Sequence, residues 1–446
     1  MGKTIAAIAT APGIGGISVI RISGDDAISI ADSVFTANLI SVPSHTVHYG
    51  FIVKDGEYID EVLVSVMRAP KTFTREDVVE ISTHGGFSVT NRVLEAIISA
   101  GAVHAEAGEF TKRAFLNGRI DLSKAEAVID IINSENKMAE QNAVCQLRGA
   151  LSSSIDDIRN SLVELAAHMQ VSIDYPDEDL EELTLDDIIQ HLISAEDKIQ
   201  KLINTADDGR IIKDGIRTVI VGKPNVGKST LMNRLSGFEK AIVTDVAGTT
   251  RDVIEENIQI SGLPIKLIDT AGIHETVDTV EKIGVDRSLK SIDGADLVIV
   301  MINGEEAPDD DDYEIIQRAS GKKVIVVANR CDCGINHTAQ ELSDVVISAK
   351  TGTGIEELTN KIKQLYNLGE ISSKRGEIIT NMRHKTALMK AKDAAKRAIE
   401  ALEAGMPQDM ASIDLNLAIE ALGEITGATV SEDIVAAVFK NFCVGK

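Results

Sequence analysis

Midway along the chain, Gly222-Lys223-Pro224-Asn225-Val226-Gly227-Lys228-Ser229 has the spacing G-x-x-x-x-G-K-S. This arrangement suits a phosphate chain. The glycines let backbone N–H groups turn toward phosphate oxygens. The Lys228 ammonium can lie against the outer phosphates, and the Ser229 hydroxyl, next to Thr230, can ligate Mg²⁺. The apolar run Ile216 to Val221 precedes the loop and a helical stretch from Thr230 to Leu235 follows. That is the strand–loop–helix order the motif needs.

Three further short motifs each end an apolar run. Asp269-Thr270-Ala271-Gly272 follows Ile265 to Ile268, Asn329-Arg330-Cys331-Asp332 follows Val324 to Ala328, and Ser348-Ala349-Lys350 follows Val345 to Ile347. In an open α/β sheet ligands bind at the carboxyl ends of the strands, where these motifs fall. Asp269 is placed to hold Mg²⁺ through water, and the Gly272 N–H to reach a γ-phosphate. The Asp332 carboxylate can accept from both N1–H and the 2-amino group of guanine. Adenine offers neither donor and would leave it unpaired, a difference able to reject the wrong partner by roughly 10⁴-fold. The expected nucleotide is therefore GTP, with Mg²⁺. Arg330 stands where GTP-binding domains carry lysine, and its stem can cover the base face.

The loop Thr244-Asp245-Val246-Ala247-Gly248-Thr249-Thr250 reads as a switch. A threonine in it, Thr250, can close on Mg²⁺ and the γ-phosphate while Gly248 lets the loop bend, so its order would follow the γ-phosphate. The glutamine that in small GTPases follows D-x-x-G and orients the attacking water is missing: Ile273 stands there, with His274 after it. Glu281 is the candidate to orient the water, with a solvated helix carboxylate as the plain alternative.

Behind these residues stand 446 residues, room for two to four domains. Hydrophobic content is 44%, and no apolar run reaches membrane-spanning length. The opening apolar segment meets Pro12-Gly13 and continues as strand, unlike a signal peptide. Four scattered cysteines give no disulfide framework or zinc pattern, and a reducing cytoplasm is the expected setting. A net charge of −24 counts against a general nucleic-acid binder, leaving RNA to a local patch or a basic partner.

Residues 1–118 mix alternating strand patterns, as at Ile17 to Ile22 and Val62 to Val66, with a short helix near Asn91 to Ser99, predicting α+β structure. Helical pattern begins at Ser123, where Ser123 and Glu126 fit a capping box. Leu147, Leu151, Ile155, Ile158, Leu162 and Leu165 form one apolar stripe. A helix follows near Asp186 to Thr205, and helical pattern resumes from Arg383 to Ala404 and from Ala411 to Leu422. Neither helical block closes a bundle alone, so the two are expected to pack together with the nucleotide domain inserted between them. The acidic run from Asp174 to Asp187 reads as a solvated loop.

The G motifs with Asn225, the Thr244 to Thr250 loop, Ile273 in place of glutamine, the N-terminal segment Thr4 to Gly24, and the C-terminal Phe442-Cys443-Val444-Gly445-Lys446 together resemble the bacterial MnmE (TrmE) family of tRNA-modification GTPases. The resemblance covers essentially the whole chain. It implies a multidomain protein: an α+β N-terminal tetrahydrofolate-binding-like dimerisation domain (1–118), a discontinuous α-helical domain (119–214 and 371–446, the latter with the C-terminal tail), and an inserted α/β P-loop G domain (215–370). It implies that Arg21, Glu80, Arg119 and Lys446 contact a tetrahydrofolate derivative, 5-formyl- or methylene-tetrahydrofolate. By spacing alone, Arg21 and Glu80 read as a strand-edge ion pair. It also implies K⁺ held by Asn225, Thr244, Val246 and Thr249 as G domains dimerise, standing in for an arginine finger. Cys443 is implied to serve the modification step. The implied reaction adds an aminomethyl or carboxymethylaminomethyl group to C5 of the wobble uridine, U34, of certain tRNAs. A homodimer would act with the flavoprotein MnmG (GidA) in a heterotetramer-type complex. The alternative carried beside it is a ribosome-assembly GTPase switch without modification chemistry.

Overall fold

A computed structural model of the chain describes residues 2–174, 183–237, 255–260, 263–268, 292–366, 377–440 and 442–445. The chain divides into two compact units. One comprises Met1–Ile129, Gln146–Ala195 and Asp393–Lys446; the other comprises Asp130–Cys145 and Glu196–Lys392. The acidic run after Asp174 lies largely outside the described residues.

The first unit contains a six-stranded sheet of order β3-β4-β5-β2-β1-β6. Its strands are β1 (Ile5–Ile8), β2 (Ile17–Ser23), β3 (Thr46–Lys54), β4 (Glu57–Met67), β5 (Val78–His84) and β6 (Val103–His104). All neighbours are antiparallel except β1 and β6. Side chains alternate across a strand. One face accordingly buries Ile20, Ile22, Val62, Val64, Val66, Val79 and Ile81 with the helices Ala27–Val34 and Phe87–Ser99. The opposite face carries Arg21, Glu80, Ile17 and Tyr49. Thr83-His84-Gly85-Gly86 is the strand-to-helix turn between β5 and Phe87–Ser99.

Helix Ala150–Asp174 packs along Gln408–Thr426, two segments separated in sequence by the whole nucleotide-binding stretch. Its stripe of Leu151, Ile155, Ile158, Leu162 and Leu165 is buried, with Met169 continuing it. Leu147 belongs to the preceding helix, Lys137–Leu147, because the chain turns at Gly149. One expected detail changes. The helix Leu122–Ile132 is capped by Asp121, not Ser123: the Asp121 carboxylate accepts from the Lys124 N–H at 2.9 Å and from Ser123 Oγ at 2.7 Å. A carboxylate just before the first turn satisfies the orphan N–H groups, and Ser123 is buried within the helix, bonded to Ser152.

The second unit holds a sheet of order β12-β11-β10-β7-β9-β8. Its strands are β7 (Ile216–Val221), β8 (Glu255–Ile260), β9 (Leu263–Ile268), β10 (Leu297–Asn303), β11 (Lys323–Asn329) and β12 (Val345–Val346). Only the β8–β9 pair is antiparallel. Parallel strands covered on both faces read as continuous apolar runs. Leu297 through Ile302 are accordingly all buried. The chain runs from β7 to one side of the sheet and returns to the other, so the carboxyl end of β7 lies at a topological switch point, where open α/β sheets bind ligands.

Candidate functional site

Lys228 begins the helix Lys228–Ser236 directly after the loop that leaves β7. Gly227 precedes it with φ 102°, and a Cβ there would stand 2.3 Å from Asn329 Nδ2, so glycine is required on both counts. The Lys228 ammonium donates to the carbonyls of Gly222 (2.8 Å) and Lys223 (2.7 Å), curled over the loop that would carry phosphates. Its burial pushes the ammonium's pKa below the usual lysine range. Ser229 and Thr230 are exposed in the first helical turn, where N–H groups have no partners within the helix.

The ends of β11 and β12 are fastened to this loop. Asn329, almost fully buried, donates from Nδ2 to the Val226 carbonyl at 2.7 Å and accepts at Oδ1 from the Ala349 N–H at 2.9 Å. One amide therefore joins three motifs. Arg330 adopts φ 73° and donates from Nη2 to the carbonyl of Asn225, itself at φ 62°. The arginine that replaces lysine thus grips the phosphate loop through its guanidinium, beyond any cover its stem gives the base. Asp332 is exposed, and a hydrogen bond from Ser348, aided by the Lys350 charge, holds its carboxyl below the usual range. It stays an acceptor near neutral pH, as pairing with two guanine donors requires. Thr244 to Thr250, Asp269 to Gly272 and Glu281 lie outside the described residues, as does Lys446.

A second cluster lies in the first unit. Arg21 and Glu80 face each other across the β2–β5 register and are bonded at 2.8 Å through both Nε and Nη2. The expected ion pair is therefore present, though it lies across two interior strands of the sheet and not at an edge. The remaining nitrogen, Nη1, donates to the Gly445 carbonyl at 3.3 Å. The guanidinium lies over the Phe73 and Phe110 rings at 5.8 and 5.6 Å. Arg119 stacks on Phe73 at 4.8 Å and donates to the Phe73 carbonyl. Burial, then the nearby Arg75 charge, depresses the Arg119 pKa.

The C-terminal segment is seated against the same cluster. Phe442 is buried with Leu122, Val435 and Phe439. Gly108 N–H donates to the Cys443 carbonyl at 3.2 Å, and Val444 forms an antiparallel bridge with Ala107. Gly445 is buried at φ 95°, where a Cβ would lie 2.2 Å from the Ile8 carbonyl oxygen. The Cys443 side chain is exposed.

Comparison with known proteins gives this arrangement its relatives. A family model described as "GTP-binding protein TrmE N-terminus" matches residues 4–119, and one described as "MnmE helical domain" matches residues 122–443. The chain is 48% identical to the tRNA modification GTPase MnmE of Acetivibrio thermocellus, over 99% of both chains. It is 46% identical to that of Thermoanaerobacter pseudethanolicus, over 99% of both, and 47% identical to that of Ligilactobacillus salivarius, over 99% of this chain and 98% of the relative. The chain belongs to the MnmE (TrmE) family.

Membership makes the protein a GTPase and fixes its architecture as an N-terminal TrmE domain, a helical domain and a P-loop G domain. Of the residues singled out by motif, the structure brings Asn225 to Ser229, Asn329, Arg330, Asp332 and Ser348 to Lys350 to one corner of the MnmE-type G domain. It brings Arg21, Glu80, Arg119 and the segment from Phe442 to Gly445 to another site. Sequence reasoning missed Phe73, which both arginines touch, and Phe110. Phe73, some fifty positions from either arginine, gives no local signal.

Proposed function

We propose that the protein is a K⁺-dependent GTPase that adds an aminomethyl or carboxymethylaminomethyl group to C5 of U34 in certain tRNAs. It would act as a homodimer in the cytoplasm with a flavin-dependent partner of the MnmG (GidA) kind. The one-carbon unit would come from a folate. The reading follows relatives named as tRNA modification GTPases. One structural observation carries it: the tail containing Cys443 is docked beside Arg21, Glu80 and Arg119 by specific contacts. A C-terminal tail is ordinarily loose and dispensable.

In the G domain, Lys228 would leave the Gly222 and Lys223 carbonyls for the β- and γ-phosphates. Asn329 and Arg330 hold the loop by the Val226 and Asn225 carbonyls, and Asp332 would select guanine. Exposed Ser229 fits a Mg²⁺ ligand, with Thr250 completing it. Exposed Asn225 fits a K⁺ ligand, with Thr244, Val246 and Thr249. When bound, these cations would supply positive charge to the developing phosphoryl transition state. Glu281 would orient the attacking water.

In the N-terminal domain, Arg119 and Arg21 offer cations on the Phe73 ring that suit a folate's aromatic and anionic parts, with Glu80 and Lys446 completing the contact set. Cys443, exposed beside them, would serve the modification chemistry. Ile17, Val47, Tyr49 and Leu63, each about half or more exposed, put apolar surface on the outer sheet face, which suits self-association. The proposed domain limits are 1–118, 119–214, 215–370 and 371–446. The experiment is nucleoside analysis of tRNA from cells lacking the protein. Loss of one modified wobble uridine is expected; an unchanged nucleoside profile would refute the proposal.

A further inference from the structure

Asn329 and Arg330, which motif reasoning singles out, hold the phosphate loop from the end of β11, by the Val226 and Asn225 carbonyls. A further grip is at the loop's entrance. The Lys223 ammonium lies 2.7 Å from Asp309 Oδ2 and 2.8 Å from Asp312 Oδ2. Those two carboxylates also cap the helix Asp310–Ala319 reciprocally: Asp309 accepts from the Asp312 N–H, and Asp312 from the Asp309 N–H. Asp312 is buried, and its Oδ1 has no hydrogen-bond partner among the described residues. Lys223 is therefore the cation that compensates a buried carboxylate, and removing it would leave that charge unpaired. Burial alone would lower the Lys223 pKa, but the hydrogen bonds to Asp309 and Asp312 outweigh it, and the pKa is raised.

The carbonyls of Gly222 and Lys223 are the two that hold the Lys228 ammonium. The clasp thus fixes the peptide units against which Lys228 rests. It also joins the loop to the segment after β10, which is itself tied down at Gly304. The Gly304 N–H donates to the Asn329 carbonyl at 2.7 Å, and the Gly304 carbonyl accepts from the Asn336 N–H at 2.7 Å. We propose that Lys223 is a positioning residue of the GTPase site, clasped by Asp309 and Asp312 so that the entrance of the phosphate loop is preshaped for nucleotide and for Lys228. This rests on the reading of Lys228 as the phosphate lysine.

The test titrates the full-length protein with fluorescent GTP and GDP and measures steady-state hydrolysis. Lys223→Met should weaken both nucleotides roughly tenfold, the range lost with a hydrogen bond to a charged group. KM should rise more than kcat falls, and Lys223→Arg should restore binding. Combining Lys223→Met with Asp312→Asn should cost less than the sum of the two single changes, since they break one contact. Unchanged affinity in Lys223→Met, failure of Lys223→Arg to rescue, or strict additivity would each overturn the proposal. If Lys223→Met does not fold, Asp309→Asn removes only the exposed carboxylate of the clasp, with an expected loss of about threefold; no loss would overturn it equally. Lys228→Ala is the control: if that variant binds GTP normally, it is the reading of the phosphate loop that fails, not the clasp alone.

Discussion

The G-domain corner and the tail site are fastened in different ways. In the corner, buried Asn329 bonds to the Val226 carbonyl and the Ala349 N–H, so the phosphate loop and the ends of β11 and β12 move as one piece. Each motif there follows a parallel strand of one sheet, whose inner strands β7, β10 and β11 are largely buried. The tail depends on one buried ring, one backbone bridge and one guanidinium contact, with Cys443 exposed between them. Loss of a corner contact should damage the whole nucleotide site. Loss of a tail contact should undock a few terminal residues and leave the sheet intact. Binding energy and modification chemistry should therefore be separable by mutation.

The largest effect is expected in the corner. Lys228→Ala should weaken GTP by about 100-fold or more and reduce hydrolysis to background, because a desolvated ammonium facing phosphate is lost. Ser229→Ala should abolish the Mg²⁺-dependent part of binding. Fluorescent-nucleotide titration with and without Mg²⁺ measures both. Near-normal affinity in Lys228→Ala would show that the corner is not the nucleotide site.

Next comes the cation. K⁺ should stimulate hydrolysis and Na⁺ should not, since Na⁺ is too small to span the oxygens proposed to hold it. A charge in the arginine-finger position is worth on the order of 10³- to 10⁵-fold in rate. Glu281→Ala should slow hydrolysis with little change in GTP affinity. Equal rates in the two salts, or a fully active Glu281→Ala protein, would contradict this.

A smaller and more selective effect is expected at the base. Asp332→Asn should weaken GTP and improve xanthosine triphosphate, because the amide can donate to the oxygen that replaces guanine's 2-amino group. Competition among GTP, ATP and xanthosine triphosphate reads this directly. Equal binding of ATP and GTP by the unaltered protein would overturn the guanine assignment.

The same difference in construction explains what could be read in the sequence. Gly222 to Ser229 is a contiguous motif whose lysine bonds to carbonyls of the same loop, and Asn329, Asp332 and Ser348 each follow an apolar run that marks a strand. The residue types and their local order therefore place the described motifs of the corner at the ends of their strands. Lys223 escaped because its partners, Asp309 and Asp312, lie far along the chain, and no local pattern links them to the loop. The tail site was legible only through family resemblance. Arg21, Phe73, Glu80, Gly108, Arg119 and Gly445 meet through sheet register and chain return, and periodicity carries neither. The helical packing was legible from its apolar stripe, while the cap at Asp121 was misplaced because Ser123 and Glu126 offered a plausible box just after it.

The most direct test of separable sites uses one variant and two readouts. Cells whose only copy carries Cys443→Ser supply tRNA for nucleoside analysis, and the purified variant is assayed for GTP hydrolysis in K⁺. Gly445→Ala, which forces a Cβ against the Ile8 carbonyl at a left-handed φ, serves as a second way to disturb the same tail. The account predicts hydrolysis within a few-fold of the unaltered protein and loss of wobble-uridine modification for both. Normal modification in both variants would contradict it, as would loss of hydrolysis in step with modification.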